Sequence, residues 1–213
     1  MNFFETIRAS FPVSALQEER FAALDGLYRE WNAKINVISR KDIDALYEHH
    51  VLHSLAIARY LYLNSMEEEF GGGSILDLGT GGGFPGIPLA ILFPQARFTL
   101  CDSVGKKTIV ADAVSRSLGL ENVTVVNARA ESLGQEFDFV VSRAVAALPD
   151  FYPWVKGRFH KGILYLKGGD LNEEISALMA RYRLRNSSIH TWKLSSWLDE
   201  TWFEGKLLVH IEK

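Results

Sequence analysis

The chain has 213 residues, 47% apolar and 23% charged, with a formal net charge of −3. That is enough apolar mass for one large domain, alone or with a small extension, and it excludes disordered, collagen-like and low-complexity states. The acidic balance excludes a protein that coats nucleic acid by bulk charge. The single cysteine, Cys101, excludes a disulfide framework or a multi-cysteine zinc site and fits a reducing compartment.

From the N-terminus, residues 14–35 read as an amphipathic helix opened by a Ser14/Gln17 capping-box pattern. A second helix is expected from about Asp42 to Leu63. The stretch MEEEFGGGS then reads as a loop. Residues 1–73 carry 7 basic and 11 acidic side chains, and residues 74–213 carry 16 and 15. The expected organisation is an N-terminal helical extension and linker over 1–73, followed by one α/β domain over 74–213. From Ser74 the rhythm becomes short strands alternating with helices. Strands are expected at 75–78, 98–101, 123–126, 137–141 and 163–166, and helices at 85–93, 106–118, 149–159 and 172–182. Late strands are expected at 187–194 and 206–211. That alternation predicts βα units and a mostly parallel sheet, with ligands at the carboxyl ends of its strands. No apolar run approaches the ~20 residues of a membrane span. The start lacks a secretory signal, so a cytoplasmic protein without membrane attachment is expected.

The sharpest local signal is Ile75-Leu-Asp-Leu-Gly-Thr-Gly-Gly-Gly-Phe-Pro-Gly86, a strand running into glycines and then a helix. Gly79 and Gly81 let the backbone turn sharply and let a ligand approach the main chain. Gly81-x-Gly83-x-x-Gly86 fits a dinucleotide pattern, but the acid before the turn favours S-adenosylmethionine. A carboxylate at Asp77 would repel pyrophosphate, whereas it can hold the ammonium of a methionyl group, directly or through water. Asp102, at the end of the second strand, is placed to bind ribose hydroxyls in either case. After the third strand, Ala130 and Glu131 flank a space suited to an adenine. Cys101 reads as a small core residue. His49 and His53 have zinc-like i, i+4 spacing but no third ligand follows, so no metal is expected.

Taken together, LDLGTGGGFPGIPLA, CDSVGKK, NARAES, FDFVVSRAVAAL and LYLKGG closely resemble the RsmG family, also called glucose-inhibited division protein B. This is a family of bacterial methyltransferases acting on N7 of a guanine in 16S ribosomal RNA. Trp31–Ser39 is similar to its WN-x-x-x-N segment and His49–Leu55 to its H-x-x-x-S-L segment, so the resemblance spans about Ala15 to Lys167. One departure is His53, where many relatives carry Asp.

The resemblance implies a Rossmann-like class I methyltransferase sheet with helices on both faces and an N-terminal helical extension. It also implies S-adenosylmethionine as cofactor and 16S rRNA as substrate; a small-subunit particle is the favoured form of that substrate, and a monomer is favoured although the sequence does not fix the oligomeric state. Carried over by position, the cofactor contacts fall on Gly79, Phe84, Asp102, Ser103, Val104, Ala130, Glu131 and Arg143, with Arg143 where base meets cofactor. Guanine N7 has a free lone pair and no proton, so its methylation needs no general base. Ser142-Arg143-Ala144 stands where methyltransferases of exocyclic amines carry an Asn-Pro-Pro-aromatic turn. For RNA, the acid-free run Val155–Lys167 offers Lys156, Arg158, Lys161 and Lys167, and the N-terminal region offers Lys34 and Arg40 beside Trp31. A small-molecule methyltransferase of the same fold and a nucleotide-sensing module are the competing readings.

Overall fold

A computed structural model describes residues 2–213. Strands β1 (Ser74–Leu78), β2 (Arg97–Asp102), β3 (Val123–Asn127), β4 (Phe137–Arg143), β5 (Phe159–Gly168), β6 (Ile189–Lys193) and β7 (Lys206–Glu212) form one sheet in the order β3-β2-β1-β4-β5-β7-β6. The first five strands are parallel, and β7 runs antiparallel to both β5 and β6. Ile75, Leu76 and Leu78 are buried on both faces of β1, as a central parallel strand requires. The chain leaves β1 toward β2 on one side and returns through β4 on the other. The carboxyl ends of β1 and β4 therefore flank the topological switch point, where open α/β sheets bind ligands.

Helices α1 (Phe3–Ser10), α2 (Ala15–Asn32), α3 (His53–Leu63), α4 (Glu67–Gly71), α5 (Gly86–Leu92) and α6 (Gly105–Ser117) share one apolar core with one face of the sheet. Helices α7 (Leu148–Val155) and α8 (Asn172–Tyr182) lie against a second core on the other face. The first 73 residues are tied into this framework by polar bonds as well. Ser14 and Gln17 form the capping box of α2, and the Gln17 amide also donates to the Ile91 and Leu92 carbonyls at 3.0 and 2.9 Å. Arg20 donates to the Gly119 carbonyl at 2.7 Å. One helix thus caps orphan C-terminal carbonyls of α5 and ties down the turn that follows α6.

Several sequence expectations need correction. MEEEF is a short helix rather than a loop, because Phe70 plugs the core. The helix expected over 149–159 ends at Val155. Gly157, at φ +79°, turns the chain, and Phe159 opens β5. The second helix is not uniform: a 3-10 turn (Ile43–Ala45) and a π-helical turn (Leu46–Leu52) precede α3. Among the described residues no helix is long and apolar enough to cross a membrane.

Candidate cofactor and substrate site

Four glycine-rich positions shape the β1 exit. Gly79 (φ +74°) and Gly83 (φ +111°) are pinned, since a Cβ would collide with Val145 and Ile87 respectively. Gly86 is pinned by Leu100 and Asp77. Gly81 differs: its φ of +58° disfavours a side chain, yet nothing lies within 4 Å of where a Cβ would be. The turn is crowded from behind and open in front, the shape that admits a ligand to the main chain.

Beside it lies a cleft of about 570 Å³, lined by Leu78 and Gly79, by Asp102, Ser103 and Lys107, by Ala128–Glu131, by Arg143–Val145 and by Trp154. The carboxyl ends of four neighbouring strands thus contribute, and the cleft brings together six expected residues: Gly79, Asp102, Ser103, Ala130, Glu131 and Arg143. Both carboxylate oxygens of Asp102 accept backbone N–H bonds, from Gly81 at 2.9 Å and Val104 at 2.8 Å. Asp102 therefore holds the β2 exit against the glycine turn. Val104 is exposed and takes part through its N–H. The loop after β4 is fixed by the Tyr165 hydroxyl, which accepts from the N–H groups of Val145 and Ala146 and donates to the Ala146 carbonyl.

Two expected residues lie behind the cleft. Asp77 is fully buried beneath the turn. Its Oδ2 accepts from the Thr80 hydroxyl at 2.6 Å and the Gly86 N–H at 2.7 Å. Burial raises its pKa to about 7, against the opposing pull of those bonds. The charge expected to face an ammonium is thus largely engaged in bracing the turn. Oδ1 is buried and has no protein partner among the described residues. Phe84 is buried too. Its ring lies 4.8 Å from that of Tyr28 and 5.3 Å beneath the Arg143 guanidinium, so it supports Arg143 instead of lining the cleft.

Arg143 projects from the end of β4 into the cleft wall. Burial lowers its pKa to about 10, which leaves it a cation at neutral pH. Its NH2 donates to His50 Nδ1 at 3.0 Å and its NH1 to the His49 carbonyl at 3.3 Å. Cys101 is buried, its thiol pushed up to about 11 by burial and by Asp102, which makes it a core residue. His49 stacks on Trp202 at 4.1 Å and 9°, while His53 meets the same indole edge-on. The two imidazoles thus serve packing, although their spacing suits a metal.

The basic run on β5 does not form one patch. Lys161, near the amino end of the strand, pairs with Glu69 at 2.6 Å. Lys167, near the carboxyl end, is nearly buried and bonds Glu174 and the Ala146 carbonyl. Arg158 donates to the Glu131 carbonyl at 3.0 Å and Lys156 lies over the Tyr182 ring. A ten-residue strand spans roughly 33 Å, so sequence neighbours here end at opposite edges. Lys34 pairs with Glu30 and covers Trp31. Arg40 and Lys41 are exposed on a loop that Asn32 organises: its side chain bonds Val37 and Ile38, and Val37 rests against Gly82. That loop overhangs the glycine turn. Sequence reasoning missed Lys107, Arg129 and Trp154 as cleft residues. The first two sit inside motifs already quoted, CDSVGKK and NARAES. Trp154 had no local signal beyond its place on α7.

The model of a family described as rRNA small subunit methyltransferase G matches residues 17–196. A protein of Christiangramia forsetii named ribosomal RNA small subunit methyltransferase G is 48% identical, covering 97% of this chain and 96% of its own. A Porphyromonas gingivalis protein of the same name is 48% identical, covering 97% and 92%. Among solved structures, the Thermus thermophilus 16S rRNA N2 G1207 methyltransferase with AdoMet and guanosine matches with a TM-score of 0.58 at 17% identity, over 76% of this chain and 43% of that one. The magnesium protoporphyrin IX methyltransferase of Synechocystis matches with a TM-score of 0.61 at 11% identity, over 88% and 93%. At these identities the two structures speak to the fold, that of a class I methyltransferase.

Proposed function

The chain belongs to the rRNA small subunit methyltransferase G family; on that premise we propose how its residues divide the work of methylating guanine N7 in 16S rRNA. It is an S-adenosylmethionine-dependent methyltransferase of small-subunit ribosomal RNA. The observation that supports the site assignment most is the open, left-handed Gly81 beside Asp102 at the β1/β4 switch point.

The cleft suits the cofactor. Asp102 and Ser103 are set for ribose hydroxyls and Ala128–Glu131 for the adenine, while Gly79 in the cleft and the open main chain at adjoining Gly81 receive the methionyl end. Gly79, Gly81, Ser103, Ala130 and Glu131 are contacts in this reading. Asp77 and Phe84 act from behind, and Val104 through its N–H. S-adenosylmethionine supplies the methyl group on a sulfonium centre that departs as a neutral thioether. What remains for the protein is placement, which supplies up to ~7–11 kcal/mol of a barrier. Arg143 is the catalytic residue because it touches the base. To leave the N7 lone pair free, it donates to O6 alone rather than gripping O6 and N7 together, as Arg commonly does.

For RNA, the cations on the cleft edge are better placed than those of β5. Lys107 and Arg129 line the cleft and, among the described residues, form no ion pair; Arg40 and Lys41 are exposed on the loop whose Val37 rests against Gly82 of the neighbouring glycine turn. Of the earlier candidates, Arg40 stays, Arg158 and Lys156 keep a secondary place, and Lys34, Lys161 and Lys167 are committed to their own acids. The enzyme works as a monomer in the cytoplasm on a small-subunit particle. The test is transfer of labelled methyl groups to small subunits from cells lacking the gene, followed by N7-specific strand scission. We expect a single modified guanine with N7 methylation; methylation at another atom, or of a small molecule alone, overturns the reading.

A further inference from the structure

The guanidinium of Arg143 is oriented from far away in sequence. Both of its protein hydrogen bonds go to consecutive residues of the π-helical turn, the His50 ring at 3.0 Å and the His49 carbonyl at 3.3 Å, across 93 and 94 positions. Such widened turns are rare and concentrate at functional sites. The Phe84 ring lies beneath the guanidinium at 5.3 Å and also flanks His50, with ring centroids 5.2 Å apart. Phe84 is backed in turn by Tyr28, whose hydroxyl donates to the Gly82 carbonyl at 2.8 Å. The turn itself is clamped from outside. His49 stacks on Trp202, and its Nδ1 lies 3.1 Å from the Asp42 carboxylate.

The tautomer follows from chemistry. An arginine can only donate, so His50 Nδ1 must be a bare acceptor and its proton must sit on Nε2. That Nε2 is buried and has no partner among the described residues. An orphan donor is a cost that a purely structural position could avoid with an apolar side chain. Burial and the Arg143 charge hold the imidazole near pKa 3, so it remains an acceptor throughout the working pH range.

We propose that His50 is a positioning residue for the methyl-transfer step, fixing the guanidinium of Arg143 so that its uncommitted N–H groups face the incoming guanine. Two of five N–H donors are committed to the turn and three remain. The N-terminal helical segment thereby becomes part of the active site, joined to it through the two hydrogen bonds that Arg143 donates to the π-helical turn. The inference rests on the reading that Arg143 touches the base.

Four variants test it: His50→Ala, His50→Asn, Arg143→Ala and the double variant His50→Ala/Arg143→Ala. Each is measured for single-turnover methyl transfer to small subunits, for S-adenosylmethionine affinity by calorimetry and for thermal midpoint. His50→Ala should lose roughly 10- to 100-fold in rate, the scale of a small misplacement, with cofactor affinity unchanged. His50→Asn sets an acceptor oxygen at the position of Nδ1 and should recover most of that rate. The double variant should be no slower than Arg143→Ala, since His50 has nothing left to orient. In 15N NMR, the His50 Nδ1 resonance should report a bare, hydrogen-bonded nitrogen and shift in Arg143→Ala. Additive losses in the double variant, or equal damage from Ala and Asn at position 50, overturn the positioning role while leaving Arg143 in place. A fully active Arg143→Ala instead overturns the underlying reading and this inference with it.

Discussion

The two edges of the sheet are built differently. At the amino edge, several ionic groups are matched within the protein: Lys161 with Glu69, His160 with Glu136, and the Asp138 carboxylate with the N–H and hydroxyl of Ser74. The groove there, about 310 Å³, is lined mainly by polar groups such as Ser74, Arg97, Thr99, Glu121 and Gln135. At the carboxyl edge the backbone takes left-handed turns at Gly79, Gly81 and Ala144. A guanidinium is sunk in the cleft wall, and among the described residues Lys107 and Arg129 form no ion pair. Several ionic groups of the amino edge thus find partners, although among the described residues Arg97 and Glu121 in its groove form no ion pair, whereas the carboxyl edge gathers left-handed turns, a sunken guanidinium and unpaired cations around one cleft. A protein concentrates such costs where they serve function.

The largest expected separation between the edges comes from Arg143→Ala. Methyl transfer should fall by roughly 100-fold or more, with small-subunit affinity reduced far less; a rate within threefold of the parent would remove Arg143 from the chemistry. Next is the turn. Gly81→Val, with a side chain in the open space and a strained φ, should cut S-adenosylmethionine affinity by roughly tenfold or more, read by calorimetry alongside circular dichroism. Asp77 sharpens the point. Asp77→Ala removes the acceptor for Thr80 and Gly86 and should weaken cofactor binding, while Asp77→Asn retains an acceptor oxygen. Near-parental affinity in the Asn variant assigns Asp77 to bracing the turn, and a loss equal to that of Ala assigns it to an ammonium contact.

Charge reversal gives a smaller, salt-dependent effect. Lys107→Glu with Arg129→Glu should weaken particle binding and flatten its salt dependence by roughly 0.7 in slope per lost contact. Lys161→Glu at the amino edge should change neither. Equal effects at both edges would contradict the contrast. The smallest effects concern pH. His210, buried and bonded to the Tyr60 hydroxyl, has its pKa lowered to about 4 by burial. A lowered folded-state value means its contribution is complete above the ordinary histidine pKa near 6.5 and is lost as pH falls toward 4. Asp77 acts in the opposite sense: raised to about 7, its contribution is complete below about pH 4 and lost as pH rises through 7. Denaturant titrations across pH should show Asp77→Asn flattening the neutral limb alone.

The same contrast governs what the sequence disclosed. The β1 turn is local: strand, glycines and helix start are consecutive, so their spacing already describes their geometry. The parallel core of the sheet and the place of Asp102 at the end of β2 followed from the βα alternation. The β5 cations do not form one patch, because a strand carries sequence neighbours apart and because Lys161 and Lys167 pair with acids on other elements, Glu69 and Glu174. Asp77 was legible as an acid beside the turn, but not that burial would direct Oδ2 inward to Thr80 and Gly86. The His50–Arg143 bond had no signature at all, since it joins residues 93 apart through a widened helical turn that no hydrophobic period marks.

The central claim is that the carboxyl-edge cleft holds the cofactor with its nucleoside against Asp102 and the β3 loop. A crystal structure with S-adenosylhomocysteine tests it most directly. Ribose hydroxyls are expected within hydrogen-bond distance of the Asp102 carboxylate, the adenine against Ala128–Glu131 and the thioether facing Arg143. A nucleoside seated in the amino-edge groove, or one in the cleft with its ribose turned away from Asp102, would contradict it.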